Sequence, residues 1–351
     1  MIYKGVAPEK FAGLMQEKYN RKSFRGLELR NANGDISPNS LSYNYTMDRL
    51  SYIRQRVVEQ TFYEVLPSNY LDVIPGEGAF AQQIITNATI KTGSNFASGK
   101  VNTSGHNNRL ATADAAVTPV YTKVTNWAMA IDYNIFDVEQ SLFSGNWDIV
   151  EMKHRARKKD WDLGIQAVAF LGDLDDLTDF PGLLTQSTVN VNTSLITTNI
   201  SAMTYTQYNT FVAGVIGAFL SNANQTVYPN MFVIPQDDYA GLAAPINPEF
   251  PLISKLSYLQ QAFDAIVPNG KVKILPSAYA MSAYNNAAGV NKQRYALYRR
   301  DIDTMFMELP VDYQTTMVGT LNNFNFQDAA YGQYCGVTLL KPLEMLYFDH
   351  S

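Results

Sequence analysis

Hydrophobic positions recur along this chain with two periods, and the places where the period changes mark its elements. Residues 1–68 read as an arm. Pro8 suits a first helical position, and Phe11, Leu14, Met15 and Lys18 follow at helical spacing. Residues 30–44, with Asn33-Gly34 and Ser37-Pro38, form a turn-rich linker. A second helix over about 47–66 places Leu50, Ile53, Val57, Val58, Phe62 and Val65 on one side and stops at Pro67. Two short helices joined by a polar connector make no core of their own, so the arm needs another surface to lie on.

Residues 77–118 have one strand-like run, from Ile84-Ile85 to Ile90, followed mostly by Gly, Ser, Asn, Thr and Ala. This predicts a long β-hairpin within 69–118, with a loose tip near Gly99 or Gly105. A polar loop of that length gains order most simply by packing on a neighbour. The stretch 120–135 alternates as a strand pair or one long strand. A helix over about 146–171 follows, close to 40 Å long at about 1.5 Å per residue. Trp147, Val150, His154, Trp161, Ile165 and Val168 make its apolar stripe, interrupted by the basic block Lys153 to Lys159. Gly172 and the acidic run DLDDLTD end it, and FPGLLTQ opens a loop, which together give a unit over 119–203.

From 204 to 304 the pattern alternates between helix and strand. A helix over 206–221 carries Tyr208, Phe211, Val212, Val215, Ile216, Phe219 and Leu220 in i, i+3, i+4 register. Short strands at 231–235 and 272–280 flank a helix at 251–267, giving an α/β lobe. The last segment, 305–351, reads as strands returning to the first sheet.

Composition changes this picture in one respect. Of 351 residues only 17% are charged while 46% are hydrophobic, which excludes a disordered chain and leaves little charge for a wet surface. With 29 Asn, 22 Tyr and 18 Phe, the surface is rich in amides and rings, as surfaces buried against other proteins are. The net charge of −5 excludes a wholesale nucleic-acid coat through basicity, though not a local patch. The arm carries a net +3 and residues 301–351 a net −6, so the two ends could attract each other between subunits, each pair weakly. No apolar run approaches the roughly 20 residues that span a bilayer, and no signal peptide is visible. The chain is expected to be made in, and to work from, a cytoplasm.

Candidate chemistry is sparse. There is no phosphate-binding glycine loop, nucleophile elbow, zinc-helix motif or paired-cysteine motif. Gly76-Glu77-Gly78 lacks the third glycine and the helix of a dinucleotide site and reads as the hinge of the hairpin. Asp173, Asp175, Asp176 and Asp179 lack the spacing of a calcium loop and read as solvated acids at a helix end. His154, with only Glu151 and Asp160 within reach by spacing, reads as a partly buried helix residue rather than a general base. Cys335, the single cysteine, excludes an internal disulfide and reads as a buried, inert thiol. The five Lys/Arg of 153–159 could face nucleic acid, or form a solvated helix face balanced by Asp148, Glu151, Asp160 and Asp162. Lys91, Lys100 and Arg109 would be rim charges of the hairpin. No catalytic, cofactor-binding or metal residue is assigned, and the chain is read as a non-enzyme.

The order of these parts is itself a resemblance. A basic arm, a long polar hairpin, the strand VYTKVTNWAMAIDYNIFDVE, a long helix followed by FPGLL, an α/β lobe, and the closing runs RYALYRRDIDTMFMELPVDYQ and CGVTLLKPLEMLYFD together resemble the major capsid protein of tailed bacteriophages. The resemblance implies an α+β, Hong Kong 97-type fold. Its parts would be an N-arm (1–68), an E-loop (69–118), a P-domain with a spine helix (119–203), an A-domain (204–304), and strands returning to the P-domain (305–351). It also implies a shell subunit without a catalytic site. Hexamers and pentamers would enclose double-stranded DNA in a virion assembled in the host cytoplasm, with scaffold, portal and decoration proteins as further partners and no membrane. An N-terminal scaffolding segment trimmed in some relatives is not expected here. Nor is Lys–Asn cross-linking through Lys91 or Lys100, because no feature places a partner Asn or an activating Glu. An encapsulin-like compartment shell is the alternative within this fold. A soluble α/β enzyme or glycan-binding protein with a long β-loop is the alternative outside it.

Overall fold

The computed structural model describes residues 61–92, 114–144, 149–247, 252–268 and 270–350. The helices expected over 8–18 and most of 47–66, the linker at 30–44 and the hairpin tip near Gly99 and Gly105 lie outside the described residues. Within 61–66 the expected helix does not continue. There the side-chain amide of Gln166 takes the backbone groups a helix would have used: Val65 N donates to Gln166 Oε1 at 2.8 Å, and Gln166 Nε2 donates to the carbonyl of Tyr63 at 2.9 Å.

After β1 (Asp72–Pro75), the hairpin forms from β2 (Gln83–Thr92) and β3 (Asp114–Lys123), in antiparallel register from Gln83 opposite Lys123 to Thr92 opposite Asp114. It therefore extends past 118. The apolar-polar alternation runs on through Val120 and Thr122, and the ladder closes only where Val124 N donates to the carbonyl of Gln82 at 3.1 Å. Residues 120–135 accordingly belong to two strands with different partners. The second, β4 (Thr125–Asn134), is followed by α1 (Ile135–Ser144) and α2 (Ile149–Leu171), the latter about 35 Å long.

Gly172 ends α2 with φ +86°, where a β-carbon would stand 2.8 Å from Gly182 N and nearer still to the Phe180 carbonyl. Only glycine meets both demands. Short β5 (Asn190–Asn192) leads to α3 (Tyr205–Asn222), begun by a capping box between Thr204 and Gln207. Then come β6 (Met231–Pro235), α4 (Gln236–Gly241) and α5 (Lys255–Ile266). The start of α5 is set by Ser254, whose hydroxyl accepts from Ser257 N at 3.2 Å, so the helix begins later than Pro251. The chain closes with β7 (Lys273–Ser277), α6 (Ser282–Asn285), β8 (Gln293–Tyr298), β9 (Met305–Leu309), β10 (Val311–Thr315), β11 (Gly319–Thr320), β12 (Asn325–Tyr334), β13 (Val337–Leu339) and β14 (Met345–His350).

Three sheets organise the body of the chain. In the first, β12 pairs along its full length with β4 and on its other edge with β10 and β11, while α2 covers the face bearing Trp127 and Gly332. The second is β1-β9-β13. The third runs β5-β14-β8-β6-β7, and its central strands β14, β8 and β6 are buried on both faces. Phe232, Ile234, Tyr295, Leu297, Leu346 and Phe348 join the core under α3 and α5. Met231, Val233, Ala296, Tyr298, Met345 and Tyr347 join a second core with the end of α2, Leu183, Leu184, Met305 and Met307.

The closing strands thus divide. The run 325–334 pairs with β4, whereas Met345–His350 enters the sheet of the α/β lobe beside Gln293–Tyr298. The reason is compositional. Met345, Leu346, Tyr347 and Phe348 are apolar on both faces and need cover on both, whereas Gln327, Ala329 and Tyr331 on one face of β12 are only half-buried.

Candidate interaction surfaces

Several of the residues singled out for chemistry make contacts within the described chain. Cys335 is buried, and desolvation first, with Glu308 nearby, pushes its thiol up to about 12, so a reactive thiolate is not formed near neutrality. Gly76-Glu77-Gly78 lies between β1 and the hairpin. The acidic run wraps the end of α2 as a turn. Asp173 accepts from the Asp175 amide at 3.1 Å and from the Tyr334 hydroxyl at 3.0 Å, and Asp176 accepts from the Asp179 amide at 3.2 Å. Asp179 is paired with Lys123. That hydrogen bond holds its carboxyl below the usual range and raises the lysine. Among the described residues no group of three or more His, Cys, Asp or Glu could hold a metal ion, and no described helix is long and apolar enough to cross a membrane.

The basic block is almost fully engaged within the chain. Lys153 donates to the Asp132 carbonyl at 2.6 Å, Arg155 pairs with Glu151 at 2.6 Å, Lys158 with Asp162 at 3.6 Å, and Lys159 with Glu64. Glu151 and Asp162 are partners the spacing named. Glu64 is not, because it arrives from the segment before the hairpin. Arg157 departs from the expected solvated face altogether. It is 1% exposed, inserted between α2 and the first sheet. Its guanidinium reaches the Asp328 carboxylate, the Asp328 carbonyl at 3.0 Å and the Tyr313 hydroxyl at 3.0 Å. Burial alone would lower its pKa, but the hydrogen bonds to Asp328 and Tyr313 prevail and raise it. His154 completes the node, with Nδ1 3.2 Å from Arg157 and Nε2 3.5 Å from Asp328. The sequence carried one signal for this: position 157 fills the gap between His154 and Trp161 in the apolar stripe.

What remains available for partners is apolar surface. On the hairpin, one face packs inward. Thr122 is buried with its hydroxyl 2.9 Å from that of Thr338. The other face presents Ile85 opposite Tyr121 and Val117 opposite Thr89, with Ile85, Val117 and Tyr121 53%, 57% and 61% exposed. The root is fastened at several points: Phe80 N donates to Gln333 Oε1 at 2.7 Å, and Lys123 pairs with Asp179. A two-stranded ribbon is at best marginally stable alone, and one that shows a row of large apolar side chains to water is shaped for a second surface. A further patch caps the far end of the β4–β12 ladder. The rings of Phe136 and Phe324 stack at 6.3 Å, and Met317, Val318 and Leu321, around β11, are also exposed. Lys91 lies in β2, while Lys100 and Arg109 lie outside the described residues.

Comparison with known proteins agrees with this arrangement. A family model described as major capsid protein matches residues 101–350. The fold is similar to that of the capsid of Myoviridae phage XM1, at 15% identity and a TM-score of 0.69, covering 87% of this chain and 98% of that one. It is also similar to structures from Microbacterium phage Oxtober96 (8% identity, TM-score 0.55, 90% and 100% covered) and from the capsid of cyanophage P-SCSP1u (11%, 0.51, 94% and 99%). None of the curated proteins compared with it matches. The chain belongs to the major capsid protein family, with the α+β, Hong Kong 97-type capsid fold. It is a structural protein of a shell.

Proposed function

We propose that this member of the major capsid protein family is the main head subunit of a tailed phage, assembling as hexamers and pentamers around double-stranded DNA. In this reading residues 1–68 are the N-arm and the β2–β3 hairpin is the E-loop that lies on a neighbouring subunit. The sheet of β4 and β12 with α2 as spine is the P-domain, and the α/β lobe is the A-domain near capsomer centres. Assembly takes place in the host cytoplasm, with scaffold, portal and decoration proteins as further partners. DNA is met without sequence specificity. The block 153–159 supports only a minor part in that contact, because its charges are largely neutralised inside the chain.

The observation that carries the reading is the outward row of Ile85, Val117 and Tyr121 on a ribbon rooted firmly at its base. Each subunit of a closed shell holds several neighbours, so contacts that are individually modest become collectively stable. The test is negative-stain electron microscopy of the full-length protein with light scattering at physiological salt. Closed shells, or hexamers and pentamers that close on changing salt or adding scaffold, are expected. A monomer at every concentration, even with co-expressed partners, would overturn the proposal. Shells that enclose a protein cargo and no DNA would refute the genome part alone.

A further inference from the structure

One buried carboxylate has no role in the packing described so far. Glu308 stands on β9 opposite Ile74 of β1, buried, with its Oε2 lacking any hydrogen-bond partner. Phe306, two residues earlier and on the same face, lies opposite Thr338, whose hydroxyl meets Thr122 of the hairpin. The face that carries Glu308 is therefore the face on which the hairpin root rests. The chain enters the hairpin from the same place: Gly76 N donates to the Leu309 carbonyl at 3.0 Å, and the exposed Glu77 follows. On the other side, Cys335 N donates to the carbonyl of Glu308 at 3.2 Å. Among the described residues, the titratable groups that bear on Glu308 are Glu77 and the Cys335 thiol, and neither brings a positive charge.

A buried carboxyl with an unpartnered oxygen is tolerable when neutral and costly when ionised. Desolvation first, and the charge of Glu77 second, hold this carboxyl above its ordinary range. The sign follows: the packing of Glu308 is undisturbed below the ordinary carboxylate range and weakens as pH rises through the raised value.

We propose that Glu308 is a proton-operated latch at the hairpin root. Protonated, it stays packed beneath the root. Ionised, it must reach water, and repulsion from Glu77 lifts the 76–82 turn and the base of β2 to admit it. This goes beyond the shell reading, since it is a property of one chain whether or not it assembles.

Cys335 is a built-in reporter, being the single cysteine, buried, and bonded through its amide to Glu308. In the full-length protein, its rate of modification by a thiol-specific reagent should be followed upward from the ordinary carboxylate range into the alkaline. A thiol far below its own pKa gains about tenfold in rate per pH unit from thiolate formation alone. The wild-type chain is expected to rise more steeply than this over the interval in which Glu308 ionises. Glu308→Gln should keep the tenfold slope and react more slowly at the alkaline end. Glu77→Gln, an exposed substitution that leaves folding undisturbed, should move the steep interval to lower pH. A wild-type slope of tenfold per unit throughout, the same profile in Glu308→Gln, or an unmoved interval in Glu77→Gln would each overturn the latch. If Glu308→Gln does not fold, the Glu77→Gln profile alone decides.

Discussion

The indole of Trp161 occupies the space a side chain on Gly332 would need. A β-carbon built there would stand 2.8 Å from the Cζ2 and Cζ3 of Trp161, and nearer still to Cη2. Gly332 lies mid-strand in β12, where glycine normally weakens a sheet, so its presence is explained by the close approach of the helix. Around this contact Trp161 meets Trp127 at 5.0 Å and Tyr334 edge-on at 6.4 Å. The long helix is thereby seated on the sheet by rings rather than by aliphatic ridges.

Gly332→Ala is therefore expected to lift Trp161 off the sheet and destabilise the unassembled chain by about 1–3 kcal/mol, the usual cost of overpacking. Urea unfolding followed by tryptophan fluorescence measures this. A cost of a few tenths would show that the helix shifts without strain.

The second attachment, Arg157 to Asp328, is expected to behave as a buried ion pair. Asp328→Ala leaves a buried guanidinium without its carboxylate partner, and should cost about 3–5 kcal/mol. Arg157→Met combined with Asp328→Ala should cost distinctly less than the sum of the two single changes, because neither charge is then stranded. A double-mutant cycle in urea gives the coupling, and additive losses would contradict it.

On the hairpin the expectation is the opposite. Ile85→Asp and Tyr121→Asp alter side chains that are more than half exposed, so the unassembled protein should keep its stability within about 0.5 kcal/mol. Assembly measured by light scattering should be lost or greatly slowed, since a charge would enter a desolvated contact. Normal assembly of both variants would move the contact elsewhere.

Alkaline pH should expose the tyrosine-rich core. Tyr298 and Tyr347 are held well above the ordinary phenol range chiefly by burial, and Tyr334 is pushed up to about 12 by burial first and its bond to Asp173 second. With folded-state values above the unfolded one, their contribution to stability is whole below about pH 10 and is lost as pH rises through the folded values. Ultraviolet titration should therefore show two phases, the later one released together with loss of near-ultraviolet circular dichroism. A single phase near pH 10 would refute this.

Several parts of this arrangement are legible in the sequence alone, for a common reason. The spacing of Tyr208, Phe211, Val215 and Phe219 names a helix and its buried side. The uninterrupted run Met231–Pro235 names a strand covered twice, and the polar alternation around Ile84 names a hairpin. Each is a local pattern, because periodicity encodes which side of an element is apolar. The scarcity of charge pointed to surfaces buried against other proteins, and the order of the parts carried the resemblance to phage capsid proteins.

Tertiary structure alone decided which elements met. Nothing near Arg157 in sequence announces Asp328, 171 positions away, so a residue that reads as part of a solvated basic face proves to be buried. Nothing in Met345–His350 says that its neighbour is Gln293–Tyr298 rather than the β4 ladder, or that Gly332 is small for the sake of Trp161. Strand partners and buried charges depend on contacts between distant segments. Such contacts are chosen by which assembly of faces buries all the apolar surface and leaves the fewest polar groups unpaired, and that comparison exists only once the whole chain is folded.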